Sequence, residues 1–522
     1  MDDLLCRCLI YQRKVTEPNS TTMDDENALL LERATGLIKC CKLPRLTHSI
    51  DEAQLKPDTF RSFMAILDET LPKVFDLLAQ YENQLLGYDE FNRENLEFQV
   101  NLVLVVAEQL QLPGEIYDFQ TENVAYRERL VELYQNGQLE RILTKEGDGS
   151  ERLLKRIWEH FQKVLQGKEW MYHPGDVVAF VRICELLYGN MSEKPSELPQ
   201  SVASFVLAVG ISLVEHHDPE YEILGLKLFN VLLNERHRSM IKESNIHEVV
   251  FQNSFRLSAK AKSERFLREL WACIFQYVKM TATDQAEFGD WSKLDDVVEA
   301  LLEALTFESN LALSSILLLY LLKVLSLDLR NFLIDDLDDV QAVDSRCHLY
   351  EPVLEQLRKY CALEFRNRRF YRWHKRLVAM IPFELEKACG GTRECGKYMH
   401  GVNLLFVLAV FPIEPEAVGF LPDKQSALLD FMIAFKRHMR DQYGRIQSLT
   451  GKCDFLHSLK ASVSCDKSIT VFCRSVAQHY FPPDRQDFWN VVGTAVDGSE
   501  EGSYQEDRIF YECLKELQTR LQ

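Results

Sequence analysis

The stretch from Asp218 to Met280 reads DPEYEILGLKLFNVLLNERHRSMIKESNIHEVVFQNSFRLSAKAKSERFLRELWACIFQYVKM. Its apolar residues recur at steps of three and four, the spacing of a helix face, rather than in the alternation of a strand. Leu224, Leu228, Val231 and Leu232 line one face of its first helix. Leu226, Phe229 and Leu233 line another, which predicts a helix covered on two sides. Asp218-Pro219 is a helix start: the carboxylate caps the first turn, and proline at the next position removes an N–H that has no partner there anyway. His216-His217-Asp218 resembles a metal-ligand run, but its place between two helices favours a capped turn. Ser244 or Asn245 is expected to cap a second, short helix with Ile246, Val249 and Val250 inward. Ser263 is expected to cap a third, with Leu267, Leu270, Trp271, Ile274 and Val278 on one face.

The same rhythm extends both ways. Ser204 to Val214 is an apolar helix upstream. Leu294, Val297, Val298, Leu301, Leu302 and Leu305 form an unbroken stripe downstream, followed by the apolar run Leu311 to Leu327, which contains Ser314, Ser315 and Lys323 and reads as a buried helix. Helices begin about every 20 residues, so a pair takes about 40 to 47, the period of HEAT and armadillo repeats. The expected fold is therefore all-α: a HEAT/armadillo-like α-solenoid of antiparallel helix pairs. Phe60 to Leu78, Trp158 to Leu165 and Asp176 to Tyr188 fit as further helices. Leu96 to Leu110 is apolar nearly all round and rich in β-branched residues, but its length predicts a buried helix. Breaks fall at Leu112-Pro113-Gly114, at Lys145 to Ser150 and at Met191 to Gln200. Beyond the centre, helices are predicted over Val353 to Met380, Gly401 to Val410, Ser426 to Arg440 and Ile509 to Leu521. The organisation read from these patterns is a weakly ordered segment over 1–55, N-terminal helical repeats over 56–190, central and C-terminal repeats over 201–480, and a loop with a terminal helix over 481–522.

Composition sets outer bounds. The 522 residues are 46% hydrophobic and 27% charged, an ordinary globular balance, with only 22 glycines and 16 prolines to make sharp turns. A formal net charge of −19 repels nucleic acid and anionic membrane unless a local basic patch intervenes. The 14 cysteines are scattered, and Cys184, Cys273, Cys361 and Cys513 sit in apolar helical stretches. That is the usage of a reducing compartment. With no secretory signal pattern in Met1 to Arg13, the expected location is the cytoplasm, with the nucleus second.

No catalytic constellation emerges, and none is expected. Thr450-Gly451-Lys452-Cys453 lacks the upstream glycine and the magnesium-holding hydroxyl of a phosphate loop. Cys389, Cys395 and His400, in CGGTRECGKYMH, offer three zinc ligands where a structural site needs four. The expectation is therefore no catalytic residue, no cofactor and no metal.

The sharpest local feature is FRNRRFYRWHKR, from Phe365 to Arg376. On one helix Arg366, Arg369 and Arg372 share a side, with Arg376 one turn further and Trp373 alongside. These five residues are the candidate partner-binding set, because arginine and tryptophan dominate interface hot spots. Two other readings stand beside it: a groove for single-stranded nucleic acid, or an outer face whose aromatics point inward and whose arginines meet acids such as Asp335 to Asp339.

From His216 to Met280 the chain resembles the family of the second Tel-two-interacting protein, the smallest subunit of the TTT co-chaperone complex. The resemblance rests on an acidic opening into a helix bearing Leu224-Gly225, on Phe229 four residues later, on the apolar pair Val249-Val250 in the next helix, and on the long apolar helix ending WACIFQYV. The chain departs from the family at His217-Asp218, where paired acids are usual. The resemblance implies a non-catalytic HEAT-like scaffold that binds the larger Tti subunit and, through it, the Tel-two subunit. It implies indirect work with the ninety-kilodalton heat-shock chaperone on phosphatidylinositol-kinase-related kinases (PIKKs). The alternative is a helical adaptor that holds nucleic acid or an acidic partner through residues 365–376.

Overall fold

The computed structural model describes residues 23–50, 57–86, 93–110, 124–135, 143, 148–189, 198–259, 263–281 and 292–325, together with Trp373, Arg376, Met380 and Glu384. The described residues are 84% helical and include no strand. The all-α expectation holds at that level. Apart from Trp373, Arg376 and Met380, the helices predicted from Val353 onward lie outside the described residues, as do the break at 112–114, most of the 191–200 linker, and Cys389, Cys395 and His400. The chain divides into two compact units, Met1–Leu257 and Ser258–Gln522.

In the first unit the helices are α1 (Met23–Cys40), α2 (Pro57–Leu86), α3 (Arg93–Gln109), α4 (Val124–Gln135), α5 (Asp148–Val164), α6 (Pro174–Tyr188), α7 (Gln200–Val214), α8 (Pro219–Leu232), α9 (Arg238–Glu243) and α10 (Ile246–Phe255). Helix α3 is the hub and packs against α1, α2, α4, α5 and α6. Phe98 and the unbroken run Leu102 to Ala107 are buried, so no face of its second half is left for water. A helix satisfies its own backbone, which lets it be buried all round. That is why this β-branched stretch is helical and not a strand.

The closest helix contact joins α7 to α8. A Cβ added at Gly225 would stand 2.6 Å from Val214 Cγ1, 2.8 Å from the Gly210 carbonyl oxygen and 2.9 Å from the Val214 backbone nitrogen. A Cβ at Gly210 would stand 2.8 Å from Phe229 Cε1. The earlier part of α8 meets the later part of α7, and the later part meets the earlier, so the two helices run antiparallel. Paired glycines bring the backbones together, and the Phe229 ring occupies the space beside them. Both faces predicted for α8 are buried, from Leu224 and Leu228 to Leu226, Phe229 and Leu233.

The joints behave as local chemistry dictates, with one correction. Asp218 caps α8, its Oδ1 accepting from the Glu220 N–H at 2.9 Å, and His216 Nδ1 accepts from the Asp218 N–H at 3.1 Å. Neither Ser244 nor Asn245 caps α10 through its side chain. Ser244 Oγ donates back to the Met240 carbonyl at 2.7 Å, and Asn245 sits in the left-handed region at φ 59° with no capping bond. The preceding turn is already helical, so the chain changes direction through one left-handed residue, a conformation asparagine tolerates.

The expected weak order over 1–55 does not extend to residues 23–50. Leu31, Ala34, Ile38 and Cys41 are buried, and α1 packs on α2 and α3. After α1 the chain runs as a strap: Leu46 N–H donates to the Tyr172 carbonyl at 2.8 Å, and Ile50 N–H to that of Met171 at 3.0 Å.

The second unit contains α11 (Glu264–Thr281), α12 (Lys293–Phe307) and α13 (Leu311–Leu325), which pack on one another. Ser263 Oγ accepts from the Phe266 N–H at 3.2 Å and caps α11 as expected. Tyr320 of α13 donates its hydroxyl to the Arg268 carbonyl of α11 at 3.2 Å. The run from Leu311 is a core helix, and no helix among the described residues is long and apolar enough to cross a membrane.

Gly225→Ala is the direct check on the α7–α8 contact. Alanine favours a helix interior by about 1 kcal/mol over glycine, so a free surface would be stabilised. Here the added methyl meets backbone atoms that cannot swing aside, and urea unfolding should show a net loss of about 1–3 kcal/mol.

Candidate functional site

The structure brings together a polar cluster that the sequence did not announce. The strap after α1 supplies Lys42 and Leu43, α3 supplies Glu108 and Gln109, α5 supplies His160, and the turn into α6 supplies His173 and Asp176. Asp176 is the centre and only 4% exposed. Lys42 Nζ lies 2.6 Å from its Oδ1, His160 Nε2 lies 2.8 Å from the same oxygen, and His173 Nδ1 lies 3.2 Å from Oδ2. Burial alone would raise the pKa of this carboxyl. The bonds from His160 and His173 and the Lys42 charge outweigh burial and hold it well below the ordinary aspartate range.

Glu108 has the opposite fate. It is fully buried. Its Oε1 accepts from the Leu43 N–H at 2.9 Å and from Gln109 Nε2 at 3.1 Å, while Oε2 has no hydrogen-bond partner among the described residues. A Cβ at Gly175 would fall 2.5 Å from that oxygen, so α6 passes close to the carboxyl at a residue without a side chain. Burial pushes the Glu108 pKa up to about 8, against the bond from Leu43 and the Lys42 charge; the Asp176 charge adds to the rise. Two carboxylates of one cluster are thus held in different protonation states by their surroundings.

Above this cluster opens a pocket of about 880 Å³, lined by α1 and the strap on one side and by Glu97, His160, Val164, His173 and Asp176 on the other. Lys39 pairs with Glu97 at its rim, and Arg45 pairs with Glu169 at 3.2 Å while its guanidinium stacks on Tyr172. Among the described residues no group of three or more His, Cys, Asp and Glu side chains could hold a metal ion.

Of the five residues proposed from sequence as partner-binding, Arg366, Arg369 and Arg372 lie outside the described residues. Trp373 is buried in the second unit, and its indole Nε1–H donates to Asp295 Oδ1 at 3.1 Å. The other oxygen of Asp295 takes the Ser292 N–H at 2.9 Å, closing the first turn of α12. Arg376 is exposed and reaches Glu299 of the same helix at 3.3 Å. At these two positions the aromatic is turned inward and the cation meets a helix acid, the acids being Asp295 and Glu299; Asp335 to Asp339 lie outside the described residues.

Of the residues that carry the resemblance, Gly225 and Phe229 fall on the α7–α8 contact. His237, just after α8, ties it to α6: its Nε2 lies 3.1 Å from the Tyr188 carbonyl. His216 packs edge-on against Trp170 and Tyr221, an aromatic turn and no metal ligand set.

The cluster escaped sequence reading because its members come from four separated segments. The one visible signal was Glu108-Gln109, a polar pair closing the apolar run Leu102 to Ala107. Comparison with known proteins finds no matching family model, no matching curated protein and no matching solved structure.

Glu108 makes a pH prediction. The folded chain keeps a proton on it that the unfolded chain releases above about 4.5. Its contribution is therefore fully present below that value and is lost as pH rises to about 8, with a limiting slope of about 1.4 kcal/mol per pH unit. Glu108→Gln should flatten this fall in urea unfolding measured from pH 5 to 8. Parallel pH profiles for wild type and variant would mean that Glu108 ionises normally.

Proposed function

We propose that this chain is a non-catalytic helical scaffold, a HEAT/armadillo-like solenoid subunit of a TTT-like co-chaperone complex that supports the maturation and stability of PIKKs. Its direct partner in this reading is the larger Tti subunit, with the Tel-two subunit reached through it and the chaperone machinery and kinases contacted indirectly, in the cytoplasm and nucleus.

The observation that carries the reading is the family-like stretch His216 to Met280. Its signature residues are those on which helix packing depends: Gly225 lies at the closest backbone approach, Phe229 fills the space over Gly210, and Val250 is buried. A resemblance concentrated on packing residues suits a protein selected for shape. The antiparallel α7–α8 pair followed by α10 supports repeat architecture, because each repeat of a solenoid packs only on its neighbours. The charged groups of the polar cluster are engaged with one another across the strap, α5 and α6, an arrangement that fixes these elements in place.

The adaptor alternative draws on the arginines of 365–376. It loses Trp373 as a stacking platform, since that indole is buried and bonded to Asp295. The arginines serve the scaffold reading instead as a surface for an acidic partner, since arginine pairs bidentately with carboxylates.

Affinity purification of the tagged full chain, read by mass spectrometry, tests the proposal. The wild type should recover a large HEAT-repeat protein and the Tel-two subunit. Arg369→Glu/Arg372→Glu should keep the wild-type melting profile and lose that partner. If the folded double variant keeps the complex, the binding surface lies elsewhere. Recovery of RNA-bound proteins in place of the complex favours the adaptor.

A further inference from the structure

The strap from Lys42 to Ile50 is held to the body by polar contacts more than by packing. Leu46 and Ile50 hang by backbone bonds from Tyr172 and Met171, Lys42 is tied to Asp176, and Arg45 to Glu169. Of its apolar side chains only Leu43 and Ile50 are buried, while Arg45, Thr47 and His48 are exposed. An element with few buried apolar groups opens at a lower free energy than the core around it.

Beneath the strap lies Glu108. A Cβ at Gly175 would stand 2.5 Å from Glu108 Oε2 and 3.0 Å from Leu43 Cβ, so the carboxyl is closed in between Leu43 of the strap and α6. Oε1 already accepts the N–H groups of Leu43 and Gln109. The proton of the neutral acid therefore resides on Oε2, where no acceptor among the described residues meets it. Two charges face this carboxyl: Lys42 of the strap favours ionisation, and Asp176 of α6 opposes it. His160 of α5 and His173 at the turn into α6 are bonded to Asp176. The closed strap thus shuts a carboxyl away from water with its proton unsatisfied, a cost that is relieved when Leu43 moves off.

We infer that this strap is a pH-operated flap: it lies closed over Glu108 while that carboxyl is neutral and lifts when the carboxyl ionises, taking away the pocket wall formed by Lys42, Leu43, Pro44 and Arg45. The inference is independent of the scaffold reading. Its sign follows from linkage. Burial raises the pKa of Glu108 to about 8 under the closed strap, and contact with water returns it toward the ordinary 4.5. Closure is fully favoured below about 4.5, and the ratio of closed to open strap falls about tenfold per pH unit up to about 8, where it levels off.

Hydrogen exchange of the full chain, followed by mass spectrometry from about pH 5.5 to 9 and corrected for the intrinsic pH dependence of amide exchange, tests this. Peptides spanning Leu43, Leu46 and Ile50 should lose protection about tenfold per pH unit up to about pH 8. They should exchange faster than peptides of α8 and respond little to dilute urea, as a local opening does. Glu108→Gln should flatten the slope; Glu108→Met, which removes the titrating group and keeps a long side chain, serves if the glutamine variant does not fold. His160 and His173 are common to wild type and variants, so the difference between the profiles belongs to Glu108. A wild-type profile that is flat or levels off below about pH 7, a slope that survives in the variants, or strap amides that exchange only together with those of α8 overturns the inference.

Discussion

The close approach of α7 and α8 is the constraint on which the first unit's C-terminal half depends. Two glycines, Gly210 and Gly225, remove the side chains that would hold the helices apart, and Phe229 closes the space beside them. Interiors are packed like organic crystals, so a backbone approach of this kind cannot be loosened at one point without moving what lies on either side. Helix α8 also packs on α6 and α10, and α10 packs on α7. The glycine crossing therefore sets the positions of four helices. It explains why α8 is buried on both its faces, down to Glu222 and Lys227.

A second fixed point lies at the other end of the same unit. Asp176 draws Lys42, His160 and His173 onto one carboxylate, and Glu108 receives the backbone of the strap beside it. Buried charge of this kind adds little net stability when compared with apolar packing, but breaking one partner is costly, so such clusters hold elements in a single arrangement. Here the elements held are the strap, α3, α5 and α6. Apolar packing brings the helices together; the charge network selects how they sit.

What was legible in the sequence follows from this division. Elements defined by local periodicity were readable: α7, α8, α11, α12 and α13 carry uninterrupted stripes, and Asp218 and Ser263 cap as their positions suggest. The length of the apolar stretch in α3 resolved helix against strand. Helix α1 was not readable as ordered structure, because its buried side is short, Leu31, Ala34 and Ile38, and gives a faint periodic signal, and its order comes from α2 and α3. Asn245 was misjudged because a cap and a left-handed joint use the same residue types. The polar cluster was invisible because it is made by tertiary contact between residues as distant as Lys42 and Asp176. Trp373 was read as an interface residue from its type and neighbours, while its placement was decided by an acid, Asp295, far away in sequence.

The scaffold proposed above would act by holding other proteins, with PIKKs as the eventual beneficiaries. The most direct measurement is quantitative proteomics with matched transcript levels after acute depletion of the chain. The account predicts that PIKK proteins decline while their transcripts stay level, and that re-expressing the wild-type chain restores them. PIKK levels unchanged after complete depletion would contradict it.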